Sequence, residues 1–149
     1  MAGFFYASKT MNYHAMIEQI KLHEGLRLKP YKCTEGFLTI GYGRNIESRG
    51  ISPDEAEEML FNDISDVEES LARHSLLGIE HTDTRKAVLI NMAFQLGVTG
   101  LFKFKKTLEA YRRCEYELAA KEMLDSKWAT QTPTRAKALS EQMLTGIWQ

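Results

Sequence analysis

The sequence predicts an α+β fold: a small lobe with one β-hairpin, a long connecting helix, and an all-helical second lobe. Three observations predict it. Two short extended runs near residue 30 flank a Thr-Glu-Gly turn. Ser52-Pro53-Asp54-Glu55 opens a helical pattern of about 20 residues. Helical periodicity with no further strand signal then fills the rest of the chain.

In order, residues 1–11 (MAGFFYASKTM) form a poorly patterned leader with no assigned role. A helix starts after Asn12, a candidate N-cap, with Tyr13, Met16, Ile17 and Ile20 on one face and Gly25 as its stop. The hairpin pairs 28–33 with 37–42 and leaves through Gly41-Tyr42-Gly43, a pattern for a bend or a close backbone approach. Residues 45–50 read as a polar connection. The long helix follows, with Ala56, Leu60, Ile64, Val67 and Leu71 on an apolar face and acidic residues opposite. After a loop over 75–83, the segment 84–96 is apolar on nearly every side and reads as the core helix, ended by Gly97. Further helices are expected over 104–113, 115–126 and 133–143, the last with Thr132 as cap and Pro133 at its first position. Trp128 and Trp148 are expected in the core. The expected domain is 12–149: a small lobe over about 12–60, the connecting helix over about 53–73, and the helical lobe over about 75–149.

Composition narrows the function classes. The 149 residues are 44% hydrophobic and 26% charged, ordinary for a globular chain with a real core. No apolar run approaches the roughly 18–20 residues needed to cross a bilayer. Phe4-Phe5-Tyr6 is too short for a secretion signal and no basic residue precedes it. The expected location is therefore the cytoplasm of the cell that makes it. Cys33 and Cys114 suit free thiols in a reducing compartment. The four histidines show no ligand spacing, so neither metal nor cofactor is expected. Residues 1–84 hold 8 Lys+Arg against 14 Asp+Glu, whereas residues 85–149 hold 11 against 6. The basic half suits an anionic partner, and equally a merely uneven solvated surface. The Lys103-Phe104-Lys105-Lys106 run has no nucleic-acid motif around it, and nucleic acid is not an expected partner.

One constellation carries chemistry. Glu24 stands at a helix end, followed after eight residues by Cys33 and after five more by Thr39. The hairpin can fold back on the helix end and bring together a carboxyl, a thiol and a hydroxyl: an acid, a base and a water-holder for hydrolysis. Singly, each has a plainer reading: a solvated glutamate, a small buried hydrophobe and a β-branched strand residue.

Those residues also carry a resemblance. Glu24-Gly25, Tyr31, Glu35-Gly36 and Thr39-Ile40-Gly41-Tyr42-Gly43 resemble the active-site signature of phage-type lysozymes, the endolysins of tailed bacteriophages. The stretch from Ile90 to Gly97, Ser126-Lys127-Trp128, the run from Gln131 to Lys137, and Thr145-Gly146-Ile147-Trp148 are similar to the second half of that family. The resemblance implies a two-lobed lysozyme fold and cleavage of the β-1,4 bond between N-acetylmuramic acid and N-acetylglucosamine in peptidoglycan. It implies Glu24 as general acid, Thr39 as a holder of the attacking water, and Arg135 near the glutamate. Phe94, Gln95, Thr107 and Thr132 correspond to cleft-lining positions. A monomer working on peptidoglycan, with a holin-type pore for export, is the partner set it implies.

Two departures matter. Cys33 stands where one branch of the family has aspartate and other members have cysteine, and the connection after Arg44 is shorter than in that branch. A thiol with an ordinary pKa of about 8.5 is only a few per cent thiolate at pH 7. Cys33 therefore activates or positions water, or forms a covalent intermediate with retention; the first is preferred on geometry. A lytic transglycosylase acting on the same bond and a non-catalytic peptidoglycan-binding homologue are the alternatives.

Overall fold

The computed structural model describes residues 11–149. Met11 is exposed; the leader proposed from the sequence otherwise lies outside the described residues. The chain divides into two compact units, one ending at Ala56 and the other spanning Glu57–Gln149. The division falls inside one helix.

In the first unit, α1 (Tyr13–Glu24) begins at Asn12, whose side chain accepts from the Ala15 N–H at 3.0 Å. It ends at Gly25, whose N–H donates to the Lys21 carbonyl with φ at +69°, a conformation that favours glycine. Strands β1 (Arg27–Lys32), β2 (Leu38–Gly41) and β3 (Arg44–Asn45) form an antiparallel sheet in that order. Tyr31 pairs with Thr39, Lys32 with Leu38, and Thr39 with Asn45. The expected strand bounds shift by about one residue, within ordinary fraying.

The polar connection expected over 45–50 is instead part of the sheet and a short helix. Asn45 closes β3 and caps α2 (Ile46–Arg49), its side chain accepting from the Ser48 N–H at 3.1 Å. Arg44 is gripped by Glu55 through two hydrogen bonds, 2.6 and 2.5 Å, which ties the strand to the start of the next helix. The sheet thus has three strands where one hairpin was expected.

Helix α3 (Pro53–Arg73) starts with the capping box that the sequence announced. Glu55 N–H donates to Ser52 Oγ at 3.2 Å, and Ser52 N–H donates to Glu55 Oε2 at 2.8 Å. Its apolar face is less buried than expected. Leu71 alone is fully buried, whereas Met59, Leu60 and Phe61 are exposed.

The second unit packs α4 (Asp83–Leu96), α5 (Val98–Phe102), α6 (Lys105–Arg112), α7 (Tyr116–Leu124), α8 (Lys127–Gln131) and α9 (Pro133–Thr145) around one core. Val88, Leu89, Met92, Leu101, Tyr111, Met123 and Met143 are fully buried there. The Tyr111 hydroxyl donates to the Leu76 carbonyl at 3.0 Å, giving the ring's polar end a partner inside the core.

Three expectations are corrected here. Helix α4 is not buried on every side: Asn91, Phe94 and Gln95 are exposed, because α4 packs on only part of its circumference. The five-residue helices α5 and α8 were not foreseen, being too short to show a period. Trp128 is in the core, but Trp148 is 65% exposed beyond the end of α9. Among the described residues no helix is long and apolar enough to cross a membrane.

Candidate active site

The first unit contains the three residues singled out in the sequence: Glu24 beside Gly43, and Cys33 beside Thr39. Glu24 is the last residue of α1, and its side chain is exposed. Its carboxyl lies over Gly43: a Cβ at position 43 would stand 2.7 Å from Glu24 Oε2. Gly43 also has φ at +77°, so the backbone there suits glycine twice over. The Gly-Tyr-Gly exit is therefore the close approach read from the sequence, and what approaches is the Glu24 carboxyl. Lys21, one turn before Glu24, places its ammonium 5.8 Å from the centre of the Tyr42 ring, tying α1 to the same exit.

Cys33 and Thr39 face each other across the hairpin turn. Cys33 N–H donates to the Phe37 carbonyl at 3.0 Å, and Gly36 N–H closes the turn on the Cys33 carbonyl at 2.8 Å. The sulfur is half-buried, and the backbone N–H groups of Glu35 and Phe37 point at it. Burial pushes the thiol's pKa up, but those two N–H donors and the Thr39 hydroxyl outweigh it; the Glu35 carboxylate opposes them weakly. The net result is a thiol below its ordinary value. Thr39 is the one fully buried residue among the described part of this unit. Its hydroxyl donates to the Phe37 carbonyl at 2.9 Å and has a single proton. With the proton on Phe37 it accepts; turned to the sulfur it becomes a third donor to the thiolate. Position 39 is thus fixed in place and adjustable in hydrogen bonding.

The second unit contains the other residues proposed from the sequence, in two places. Arg135 is held by Asn91, through Oδ1 at 2.9 and 2.6 Å and through the carbonyl at 3.2 Å. Both line a groove of about 440 Å³ with Phe94, Leu60, Ile64 and Ile90. Gln95 accepts from Trp128 Nε1 at 2.8 Å, which anchors its exposed side chain. Thr132 does not cap α9 with its side chain; its hydroxyl donates back to the Trp128 carbonyl at 3.0 Å. Thr107 is only 2% exposed and lines a recess of the second unit with Gln131 and Trp128.

Sequence reasoning missed the supporting residues: Gly43 as the seat of the Glu24 carboxyl, Asn91 as the holder of Arg135, and Trp128 as the anchor of Gln95. Each partner is distant in sequence, so no local pattern signals it. Among the described residues no group of three or more His, Cys, Asp or Glu side chains is arranged to hold a metal ion.

Comparison with known proteins bears on this geometry. A model of the family described as phage lysozyme matches residues 21–143, a span that includes the helix end, the hairpin and almost all of the second unit. The chain belongs to the phage lysozyme family. The pre-baseplate central spike protein Gp5 of Enterobacteria phage T4 is 32% identical over 160 residues, covering 89% of this chain and 28% of that protein. A probable T4-type lysozyme 1 of Dictyostelium discoideum is 30% identical, covering 87% of this chain and 93% of its relative. An endolysin of Acyrthosiphon pisum secondary endosymbiont phage 1 is 32% identical over 114 residues, 74% of each chain. The chain therefore spans little more than a quarter of the spike protein but most of the stand-alone lysozyme. Membership also agrees with the mixed α+β architecture, a small antiparallel sheet in a mostly helical chain.

Proposed function

We propose that this protein is a peptidoglycan-degrading lysozyme, a glycoside hydrolase that cleaves the β-1,4 bond between N-acetylmuramic acid and N-acetylglucosamine. Glu24 is the general acid that protonates the glycosidic oxygen; Cys33 and Thr39 activate or position the attacking water. The single observation that carries the reading is the hairpin cradle, where a half-buried sulfur faces two backbone N–H groups and an adjustable hydroxyl in the same compact unit as Glu24.

The chemistry follows from that cradle. Glycoside hydrolysis pairs a protonated carboxyl with a second, electron-rich group beside an oxocarbenium-like transition state. Cys33 with its pKa lowered supplies more thiolate at neutral pH than a free cysteine, so it can serve where a carboxylate is absent. Thr39 gives water a fixed acceptor once its own proton is committed to the Phe37 carbonyl. Water activation leads to inversion at the anomeric carbon, whereas direct attack by sulfur leads to retention. The exposed Phe94 and Gln95, together with Arg135, Thr107 and Thr132, are assigned to substrate contacts on the family resemblance. Host cell lysis by a monomer released from the cytoplasm through a holin-type pore completes the reading.

The test is turbidity loss of purified peptidoglycan with product analysis. Glu24→Gln should lower activity by about 10²–10⁴-fold, the usual worth of a positioned acid, with the circular dichroism spectrum unchanged. Cys33→Ser should lose most activity and Cys33→Asp should recover it. Full activity in Cys33→Ser would remove Cys33 from the mechanism. Release of a 1,6-anhydro sugar in place of a reducing end would make the protein a lytic transglycosylase. Wall binding without turbidity loss would make it a non-catalytic homologue.

A further inference from the structure

Strand β3 ends at Asn45, whose pairing with Thr39 is the last rung of the β2–β3 ladder toward the hairpin turn. The chain then leaves the sheet, because the Asn45 side chain caps α2 and starts a helical turn. Leu38, one residue beyond that rung, therefore faces no β3 residue. Its N–H donates to Glu47 Oε2 at 3.1 Å, so a carboxylate of α2 stands where a strand carbonyl would have continued the ladder.

The same peptide group serves the hairpin cradle from its other end. Its carbonyl is that of Phe37, which accepts from the Thr39 hydroxyl at 2.9 Å and from the Cys33 N–H at 3.0 Å. One peptide thus joins Glu47 on its N–H side to Thr39 and Cys33 on its carbonyl side, all within the first unit. A charged acceptor makes a stronger hydrogen bond than a neutral one, and hydrogen bonds in a chain polarise one another. The Glu47 carboxylate draws on the N–H and shifts electron density toward the carbonyl oxygen, which makes Phe37 the better acceptor for the Thr39 proton. That proton has two destinations, the Phe37 carbonyl and the Cys33 sulfur. Committed to Phe37, it leaves the Thr39 oxygen free to accept from water.

We propose that Glu47 is a positioning residue for the reaction, acting through the Phe37–Leu38 peptide to keep the Thr39 proton off the sulfur and the Thr39 oxygen open to the attacking water. This rests on the lysozyme reading above, in which Thr39 holds that water. Glu47 touches neither sugar nor water in this role. Its side chain is exposed, so it can be replaced without disturbing a core. The Cys33 thiol reports where the proton goes, because the Thr39 hydroxyl is one of the donors that lower its pKa.

The experiment follows alkylation of Cys33 by iodoacetamide against pH, by mass spectrometry of the full chain. A Cys114→Ser background removes the other thiol, which is exposed and lies in the second unit. Glu47→Gln keeps the reach of the side chain and removes its charge. The alkylation midpoint should fall by about half a pH unit, as the released hydroxyl turns to the thiolate. Loss of a negative charge through space would also lower the midpoint, so the comparison is repeated without the hydroxyl. In Thr39→Val, and in Thr39→Ala as a second hydroxyl-free variant, Glu47→Gln should leave the midpoint where it was. An equal fall with and without the hydroxyl, or no fall in either, would overturn the proposal. On soluble peptidoglycan fragments the kcat of Glu47→Gln should drop about threefold with KM unchanged, a share of the roughly fivefold that one net hydrogen bond is worth. An unchanged kcat would also sink it. A wild type that leaves peptidoglycan intact would overturn the lysozyme reading, a separate failure, because alkylation locates the proton without any turnover.

Discussion

Gly43 and His81 show how single residues set the limits of this fold. Alanine at position 43 brings both an unfavourable φ of +77° and a Cβ 2.7 Å from Glu24 Oε2, so the carboxyl must move. Gly50 has a similar φ of +65° with nothing within 4 Å of its would-be Cβ. Gly43→Ala and Gly50→Ala should each cost about 1 kcal/mol or more in urea unfolding, from backbone strain. Only Gly43→Ala should also depress lysis beyond what the stability loss explains. His81 is buried, with Nδ1 2.8 Å from the Tyr116 hydroxyl and its ring stacked on Tyr111 at 3.8 Å. Its Nε2 makes no hydrogen bond among the described residues and lies 3.3 Å from a Glu80 carboxylate oxygen. Burial lowers its pKa below the ordinary 6.5, Glu80 pulls the other way, and Lys86 and Arg85 add to the lowering. The folded state thus binds its proton less readily than the unfolded chain. This contribution to stability is complete above about pH 6.5 and is lost as the pH falls through the folded value. The melting temperature should fall over that window, and His81→Gln should flatten the fall.

At the scale of elements, the start of α3 is held by one carboxylate shared between two groups. Glu55 accepts from Arg44, from the Ser52 N–H, and completes the box in which Ser52 caps its own N–H. Arg44 first, then Ser52, hold its pKa down to about 2. The depressed folded value means that its stabilisation is present above the unfolded value, near 4.5, and is lost as the pH falls through about 2. Acid unfolding of the wild type should therefore show a component in that range that Glu55→Gln removes. Ser52→Ala should cost about 1 kcal/mol in urea unfolding, the usual worth of an N-cap. The Ser-Pro-Asp-Glu signature was legible because a capping box is local. Strand β3 and helix α2 were not, because Arg44 finds Glu55 only after the chain has turned, and four residues are too few to show a period.

Across the whole molecule, burial is unequal. Among the described residues the first unit has Thr39 as its one fully buried side chain, whereas the second contains a continuous core from Leu71 to Met143. Native-state hydrogen exchange should follow that division. Amides of α4, α7 and α9 should exchange only through global opening, while α1 and the sheet exchange through cheaper local opening. Uniform protection across both units would contradict this division. Within the core, Leu89→Ala should cost about 2–5 kcal/mol, measured by urea unfolding.

The sequence by itself determined the α+β class, the long helix, the family resemblance and the order of Glu24, Cys33 and Thr39. Each of these is written in spacing or in a local signature: a capping box, a turn, or an acid placed at a helix end. Tertiary structure alone decided which apolar residues are covered. Trp148 reads as core but is exposed, because hydrophobicity says only that burial is favourable and packing partners decide where it occurs. Tertiary structure also seated Glu24 on Gly43, turned two backbone N–H groups onto the Cys33 sulfur, and set the Glu47 carboxylate on the Leu38 N–H. Those arrangements join atoms through space, and sequence patterning records distance only along the chain.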